Sequence, residues 1–232
     1  MNNINVYNSN AATNATNIKN AFDTYVTGYF GKIETDTTSS DAYKYVKFYL
    51  DSSSVNPDMI LRIAVSSSLG ETVQLTVGSN TFSISSTSSG GSNRVQRVIV
   101  TDSGIVLQTS TGSGTYSNNV VICKAENGNV IVLFYGYTSI SSIGSNYNSV
   151  DCDIRVADLN DARSNYYKHN LAYNSSNTVI GVPFVSLSGG ASHNVYLPIT
   201  RCFASIQEPF KYQINGENYV GIGYNSIIIK SE

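Results

Sequence analysis

Two histidines, His169 and His193, three cysteines, Cys123, Cys152 and Cys202, and the carboxylates Asp151, Asp153, Asp158 and Asp161 have the most chemistry to offer in this chain. Neither histidine has a second His, Cys, Asp or Glu at a zinc-ligand spacing, so no metal motif is legible. A thiol nucleophile with a histidine base stays open, because such pairs meet in space rather than in sequence. Cys152 or Cys202 would be the nucleophile and either histidine the base, with no local signature for any pairing. The four aspartates offer hard oxygen ligands of the kind calcium takes. Their spacing misses the helix–loop–helix calcium loop, and Asp158 is equally suited to cap a helix.

Other catalytic grammars are missing from the sequence. There is no G-x-S-x-G elbow, no Walker A loop and no dinucleotide fingerprint. "LSGGASHN" is glycine-rich but follows no strand-to-helix pattern. Glycoside hydrolysis asks for two carboxylates across a cleft, and nothing singles out a pair among the 16 acidic residues. Trp, the strongest sugar platform, is absent. The expectation is a protein with no catalytic, cofactor-binding or metal-ligating residues.

Tyrosine remains. Tyr135, Tyr137, Tyr147, Tyr166, Tyr167 and Tyr173 lie in or beside a long stretch that reads as irregular. Tyr brings a rigid apolar ring and a polar tip at low entropic cost, which suits an interface as well as the rim of a core. Tyr147, Tyr166 and Tyr167 are therefore candidate interaction residues.

The elements that must position these residues are mostly strands. "ETVQLTVGSNTFSISS", "RVQRVIVTDSGIVLQTS", "NVVICKAENGNVIVLFYGY" and the closing "FKYQINGENYVGIGY" each alternate apolar and polar residues around a short Gly/Asn/Ser/Asp turn, the mark of a hairpin. "YKYVKFYLDS" and "MILRIAVSS" flank an Asn56-Pro57-Asp58 turn as two more strands. Ile227-Ile228-Ile229 is a β-branched run that suits a strand inside a sheet and not at its edge. "GYTSISSIGSNYNS" (136–149) breaks the strand rhythm, and "DLNDARSNYYKHNLAYNSS" reads as a short helix with Leu159, Ala162, Tyr166 and His169 on one side.

One clear helix stands at the start. Ala15, Ile18, Phe22, Tyr25, Val26 and Tyr29 recur at helical spacing, predicting a helix over about 12–27 behind an Asn-rich arm, with Gly28 or Gly31 as a stop. Such a helix either covers its own sheet or docks on a neighbour, and the second use makes Ile18, Phe22 and Tyr25 candidate interaction residues. The expected organisation is an arm and helix over 1–31, a hairpin-rich β domain over 32–157, and a short helix with further strands over 158–232. That last segment is either a second β subdomain or a continuation of the first. The fold class is mainly β, an antiparallel sandwich or jelly-roll-like fold built from hairpins with one N-terminal helix.

Composition narrows the partners. Only 13% of the 232 residues are charged and the net charge is -2, with no run of Lys or Arg, which argues against nucleic acid. The 17 Tyr and 8 Phe, with many Val and Ile, argue for a packed core rather than disorder. A neutral, hydrogen-bonding surface has few charges to desolvate and suits side-by-side packing. "MNNINVYNSN" lacks the basic and apolar regions of a signal peptide, and no segment is long and apolar enough to span a bilayer. Synthesis in a reducing cytoplasm and no membrane association are the expectations.

Taken together, "NNINVYNSNAATNATNIKNAFDTY", the Ser/Thr/Gly-looped "TVGSNTFSIS" and "VTDSGIVLQTS", and the closing "YVGIGYNSIIIKSE" resemble accessory virion proteins of tailed bacteriophages with AT-rich genomes: fibres, capsid decoration proteins and tail or baseplate appendages. The resemblance is one of texture, and no functional residue carries over. It implies a β-rich fold, frequent threefold assembly, and a role in attachment or particle stabilisation. The long repeats of shaft fibres are missing, which favours a compact decoration or adaptor domain. The expectation is a non-enzymatic virion component, made in the host cytoplasm, with other virion proteins and further copies of itself as partners, a trimer being favoured. The alternative is a β-sandwich that binds a host-surface glycan through Tyr- and Asn-rich loops. A glycan or cysteine hydrolase ranks third.

Overall fold

Turn residues fall where the alternation of apolar and polar residues breaks, so the chain folds back on itself repeatedly. The computed structural model describes residues 1–64, 72–85, 94–110, 119–125, 127–144, 147–160, 163–174, 179–180, 184–187, 193–196, 199–202, 210–214, 216–221 and 227–230. For most strands after Leu133 the description is one of backbone and register.

In chain order the elements are β1 (Asn2–Asn5), α1 (Ala11–Tyr25), β2 (Lys32–Asp36), β3 (Tyr43–Tyr49), β4 (Met59–Ala64), β5 (Thr72–Val77) and β6 (Asn80–Ser85). Then come β7 (Arg94–Thr101), β8 (Gly104–Ser110), β9 (Asn119–Lys124), β10 (Val130–Gly144), β11 (Tyr147–Asp158) and β12 (Arg163–Asn174). The remainder are β13 (Val179–Ile180), β14 (Phe184–Leu187), β15 (His193–Tyr196), β16 (Ile199–Cys202), β17 (Phe210–Ile214), β18 (Glu217–Gly221) and β19 (Ile227–Lys230).

β2 to β6 form a five-stranded antiparallel meander, the front sheet, and β7 to β12 continue as a second meander with β1 added beside β7, the back sheet. A C-terminal sheet has the order β13-β16-β19-β18-β17, and β14 pairs with β15. The Ile227–Ile229 run thus occupies the central strand of its sheet, as its composition demands. All four expected hairpins form, and Gly128 and Gly216 adopt φ of 85°, where an L side chain would be strained.

The front and back sheets pack through one hydrophobic core. Its front half comes from Val46, Phe48, Met59, Leu61, Ile63, Val73, Leu75 and Val77. Its back half includes Val98, Ile105, Leu107, Val120, Ile122, Val130 and Val132. The fold is thus a mainly β antiparallel sandwich with, among the described residues, a single N-terminal helix.

That helix is part of the filling. Asn10 caps it, its Oδ1 accepting from the backbone N–H of Ala12 and Thr13 at 2.9 and 3.1 Å. Ala11, Asn14, Ala15, Ile18, Ala21 and Phe22 are buried, facing β2, β3 and β7. Phe22 meets Phe48 edge-on at 5.0 Å between ring centroids and Phe30 at 6.2 Å. Asn14 Nδ2 donates to the carbonyls of Val6 (2.7 Å) and Val95 (2.9 Å), tying the helix to the arm and to β7 at once. A bulge between Val95 and Arg97 leaves the Gln96 carbonyl free to accept from Val6 N–H and Tyr7 N–H.

Three expectations need correction here. Residues 136–149 do not interrupt the strands: β10 and β11 run through most of them and pair from Ile131↔Asp158 to Gly144↔Tyr147, with irregularities after Tyr137 and Ser142. The short helix is not formed over 163–174, which is strand β12, paired along its whole length with β11. Asn165, Asn170 and Asn174 disfavour a helix interior, the tyrosines favour a strand, and a full ladder is waiting beside them. Asp161 and Ala162 lie outside the described residues. Finally, the arm is not a separate appendage, since β1 pairs with β7 from Asn2↔Val100 to Asn5↔Arg97. The division expected near 157 falls at the end of β11, with β12 continuing the same sheet.

Candidate binding face

In an antiparallel sheet opposite residues share a face and successive residues alternate, so register settles which side chains meet. On the front sheet polar and apolar residues alternate with few exceptions. One face enters the core, with Lys44 at its edge; the other carries Lys32, Glu34 and Asp36 from β2, Tyr43, Tyr45, Lys47 and Tyr49 from β3, Ile60, Arg62 and Ala64 from β4, Gln74 and Thr76 from β5, and Thr81 from β6. "YKYVKFY" reads directly as this: Val46 and Phe48 inward, the tyrosines and Lys47 outward.

The outward groups hold one another. The Arg62 guanidinium lies 3.3 Å from the centroid of the Tyr43 ring and donates through one terminal nitrogen to Gln74 Oε1 at 2.8 Å. Lys32 Nζ sits 4.1 Å from the Tyr49 ring centroid and 3.3 Å from Glu34. Tyr49, itself buried, donates its hydroxyl to Glu34 Oε2 at 2.8 Å. Lys47 pairs with Asp36 at 3.6 Å, and the Tyr45 hydroxyl donates to Asp41. The Thr76 and Thr81 hydroxyls meet at 3.0 Å across the last pair of strands.

Ionisation follows from these contacts. The hydrogen bond from Tyr49 and then the ammonium of Lys32 hold the Glu34 carboxyl below its ordinary range. Its charged form therefore favours the fold above the unfolded carboxyl's pKa, and that contribution disappears as pH falls through the folded value. Tyr45 and Tyr49 are raised, first by burial and then by the carboxylates of Asp41 and Glu34 respectively. At neutral pH the face therefore balances Lys32, Lys47 and Arg62 against Glu34, Asp36 and Asp41. It is neutral overall and rich in hydrogen-bonding tips.

The sequence-predicted interaction residues fare differently. Ile18 and Phe22 are 0% exposed in the chain's own core, so neither is available to a partner; their helical spacing reflected packing between the sheets. Tyr25, at the last turn of α1, is 45% exposed. Tyr147 stands opposite Asn174, Tyr166 opposite Arg155 and Tyr167 opposite Ile154. Tyr166 and Tyr167 occupy adjacent positions of one strand and so belong to opposite faces of the sheet, and Tyr147 lies eight residues along β11 from Arg155, about 26 Å away. These three do not make one surface. The tyrosines of β3 do, and the signal for them was the period of two in "YKYVKFY".

The aspartate cluster also resolves in part. Asp158 is fully buried, with Oδ2 accepting from Asn129 Nδ2 (2.8 Å) and Oδ1 from the Asn160 N–H (2.9 Å). Asn160 Oδ1 in turn accepts from the Val130 N–H at 2.7 Å. Asp158 is thus a latch between the start of β10 and the end of β11, not a helix cap. No group of three His, Cys, Asp or Glu able to hold a metal occurs among the described residues. No helix among them is long and apolar enough to cross a membrane.

Compared with known proteins, the chain matches no family model, no curated protein and no solved structure.

Proposed function

We propose that this chain is a non-enzymatic structural component of a bacteriophage particle, of the decoration, head-fibre or tail-appendage kind, which joins other virion proteins and copies of itself by protein–protein contact. The observation that carries the reading is the outward face of the front sheet, whose charges are already paired within the chain and whose tyrosines are held in place. Such a face loses little solvation and little side-chain entropy when another protein covers it. The low overall charge and the textural resemblance to phage accessory proteins support the same reading. The contact is assigned to this face and not to the helix, whose apolar stripe is buried inside the sandwich, or to the arm, whose β1 is paired with β7.

The glycan-binding alternative has one observation in its favour: Tyr45, Gln74, Thr76 and Thr81 gather aromatic and hydrogen-bonding groups on one face of the sheet. Against it, Arg62 and Lys32 lie over the Tyr43 and Tyr49 rings, so a sugar must displace a cation–π contact of about 0.5–1 kcal/mol at each.

Replacing Thr76 and Thr81 together by Glu puts unpaired charge on the face without touching the core. The expected outcome is loss of incorporation into particles, or loss of oligomers by native mass, with unchanged circular dichroism and melting temperature. Normal assembly by this variant overturns the assignment. Retained assembly in Tyr43→Ala with lost binding to host-surface polysaccharide would favour the glycan reading instead.

A further inference from the structure

β1 is the last strand of the back sheet: β7 takes one of its edges, and no described strand pairs with the other. Which backbone groups that second edge presents follows from the hairpin beside it. Asp102 and Ser103 form a two-residue turn closed by the pair Thr101↔Gly104, so the backbone groups of Thr101, Ile99 and Arg97 turn toward β8. Those of Val100, Val98 and Gln96 then turn toward β1. The Val6 N–H, 2.9 Å from the Gln96 carbonyl, agrees. Through the register Asn2↔Val100 and Ile4↔Val98, Asn2 and Ile4 bond inward to β7, and the N–H and C=O of Asn3 and Asn5 point away from the sheet. Asn2, Asn3 and Asn5 are exposed and Ile4 is half-buried.

An open edge is ordinarily guarded by charge, by Pro or by a covering element. The edge strand of the front sheet has two of these: β2 carries Lys32, Glu34 and Asp36, and α1 packs beside it. β1 has no charged side chain and no Pro.

The unguarded edge fits a second copy of itself. Two β1 strands laid antiparallel, with their Ile4 residues opposite each other on a twofold axis, set Asn3 of each copy against Asn5 of the other. Every outward N–H then meets an outward C=O, and the facing Asn amides can hydrogen-bond with no charge to desolvate. The same register, continued past the strand, brings Met1 of one copy to Tyr7 of the other. These side chains are 53% and 43% exposed, and a thioether against an aromatic ring is a favourable contact. We propose that β1 is a self-association edge, through which two copies join antiparallel and the back sheet runs on across the dimer. The contact is isologous, each copy giving and receiving the same groups.

This inference goes beyond the assembly reading and does not depend on the front-sheet face. It makes the smallest unit a twofold dimer, where the resemblance to phage accessory proteins implies frequent threefold assembly. A four-residue strand with its flanking side chains buries less than the roughly 1,200 Å² of a stable interface, so the dimer should dissociate on dilution.

The test is sedimentation equilibrium of the full-length chain from about 1 μM to 1 mM, where the wild type is expected to pass from one copy to two. Asn3→Pro removes an outward N–H and no bond to β7. Its melting temperature at the dilute end should match the wild type while the dimer is lost. Thr76→Glu with Thr81→Glu alters the front face and should leave this dimer intact, which separates failure of one assignment from failure of the other. Under mild oxidation Ile4→Cys should give a disulfide-linked dimer beyond any formed by the wild type, and Asn2→Cys should not, because Asn2 lies opposite Val6 of the other copy. A wild type that stays monomeric throughout overturns the proposal. So does association unchanged in folded Asn3→Pro, or cross-linking that is equal in the two cysteine variants.

Discussion

The front and back sheets face each other across one core, yet among the side chains described the outer face of the front sheet is far wetter than that of the back sheet. On the front sheet Phe48, Leu61 and Leu75 point inward, while Lys47, Arg62 and Gln74 point out. On the back sheet the inward Val98, Ile105 and Val132 alternate with Ile99, Val106, Val121, Ile131 and Leu133, which are buried too but stand outside the core between the sheets. Over β7 to β9 and the start of β10 the back sheet is thus buried on both faces. Its strands accordingly read as continuous runs, "RVIV", "NVVIC" and "VIVLFY", where the front strands alternate. The difference teaches where partners can act: a both-sided strand is spent on the fold, and a one-sided strand leaves a surface to use.

The severest way to break this comparison is to remove what lies between the sheets. Deleting residues 1–31 strips β1 from the back sheet and Ile18 and Phe22 from the core, and exposes Val46, Phe48 and Leu61. The truncated chain should lose its cooperative thermal transition, and a well-folded truncation would return the arm to a docking role. Phe22→Ala alone should cost about 3–5 kcal/mol in urea denaturation, the usual range for a fully buried Phe.

Next in size is a matched pair on the two non-core faces. Ile99→Ala on the back sheet should cost about 2–5 kcal/mol, because the side chain is fully buried. Tyr45→Ala on the front sheet, half-buried, should cost less than about 1 kcal/mol. Equal effects in chemical denaturation would mean that the front face is covered as well, or that the back one is not.

A pH experiment sharpens the same contrast. Burial raises the Cys123 thiol on the back sheet from 9.0 to about 12, and burial followed by proximity to Cys123 raises Tyr29 from 10.0 to about 12. Both are acids whose folded pKa lies above the unfolded one. The stability they represent is complete below the unfolded values and is lost as pH rises toward 12. For Cys123 the full window corresponds to about 4 kcal/mol. Urea midpoints measured from pH 8 to 10.5 should fall in the wild type and fall less in Cys123→Ala. An identical decline in both would show that the thiol does not sense this burial.

How much of this was legible depended on period. Front strands and hairpin turns declared themselves because alternation and Gly/Asn turns coincide, as at Val77, Gly78 and Asn80. The helix was legible from Ile18 and Phe22, but not its side of action, since spacing shows an apolar stripe and says nothing of whose core it enters. β12 was misread because Leu159, Ala162, Tyr166 and His169 fit a helical spacing by coincidence, while the ladder from β11 that decides the matter is a tertiary fact. The register that sets Cys152 opposite His169 is a tertiary fact of the same kind, so the sequence left it as one of several open pairings. The binding face was missed because the tyrosines of β3 looked like ordinary strand residues; it is their register with Lys32, Glu34 and Arg62 that makes them a surface.

The smallest effect tests whether that surface is held rigid. Arg62 contacts both the Tyr43 ring and Gln74, so its removal alone mixes two losses. A double-mutant cycle with Arg62→Ala and Tyr43→Leu isolates the cation–π part, expected at about 0.5–1 kcal/mol for a partly solvated pair. A coupling indistinguishable from zero would mean that the guanidinium leaves the ring in solution. The Tyr43 ring would then be free to stack on a sugar, and the argument that prefers a protein partner over a glycan would lose its physical basis. A coupling in the expected range keeps the ring occupied, so that a ligand needing that ring must first pay for displacing Arg62.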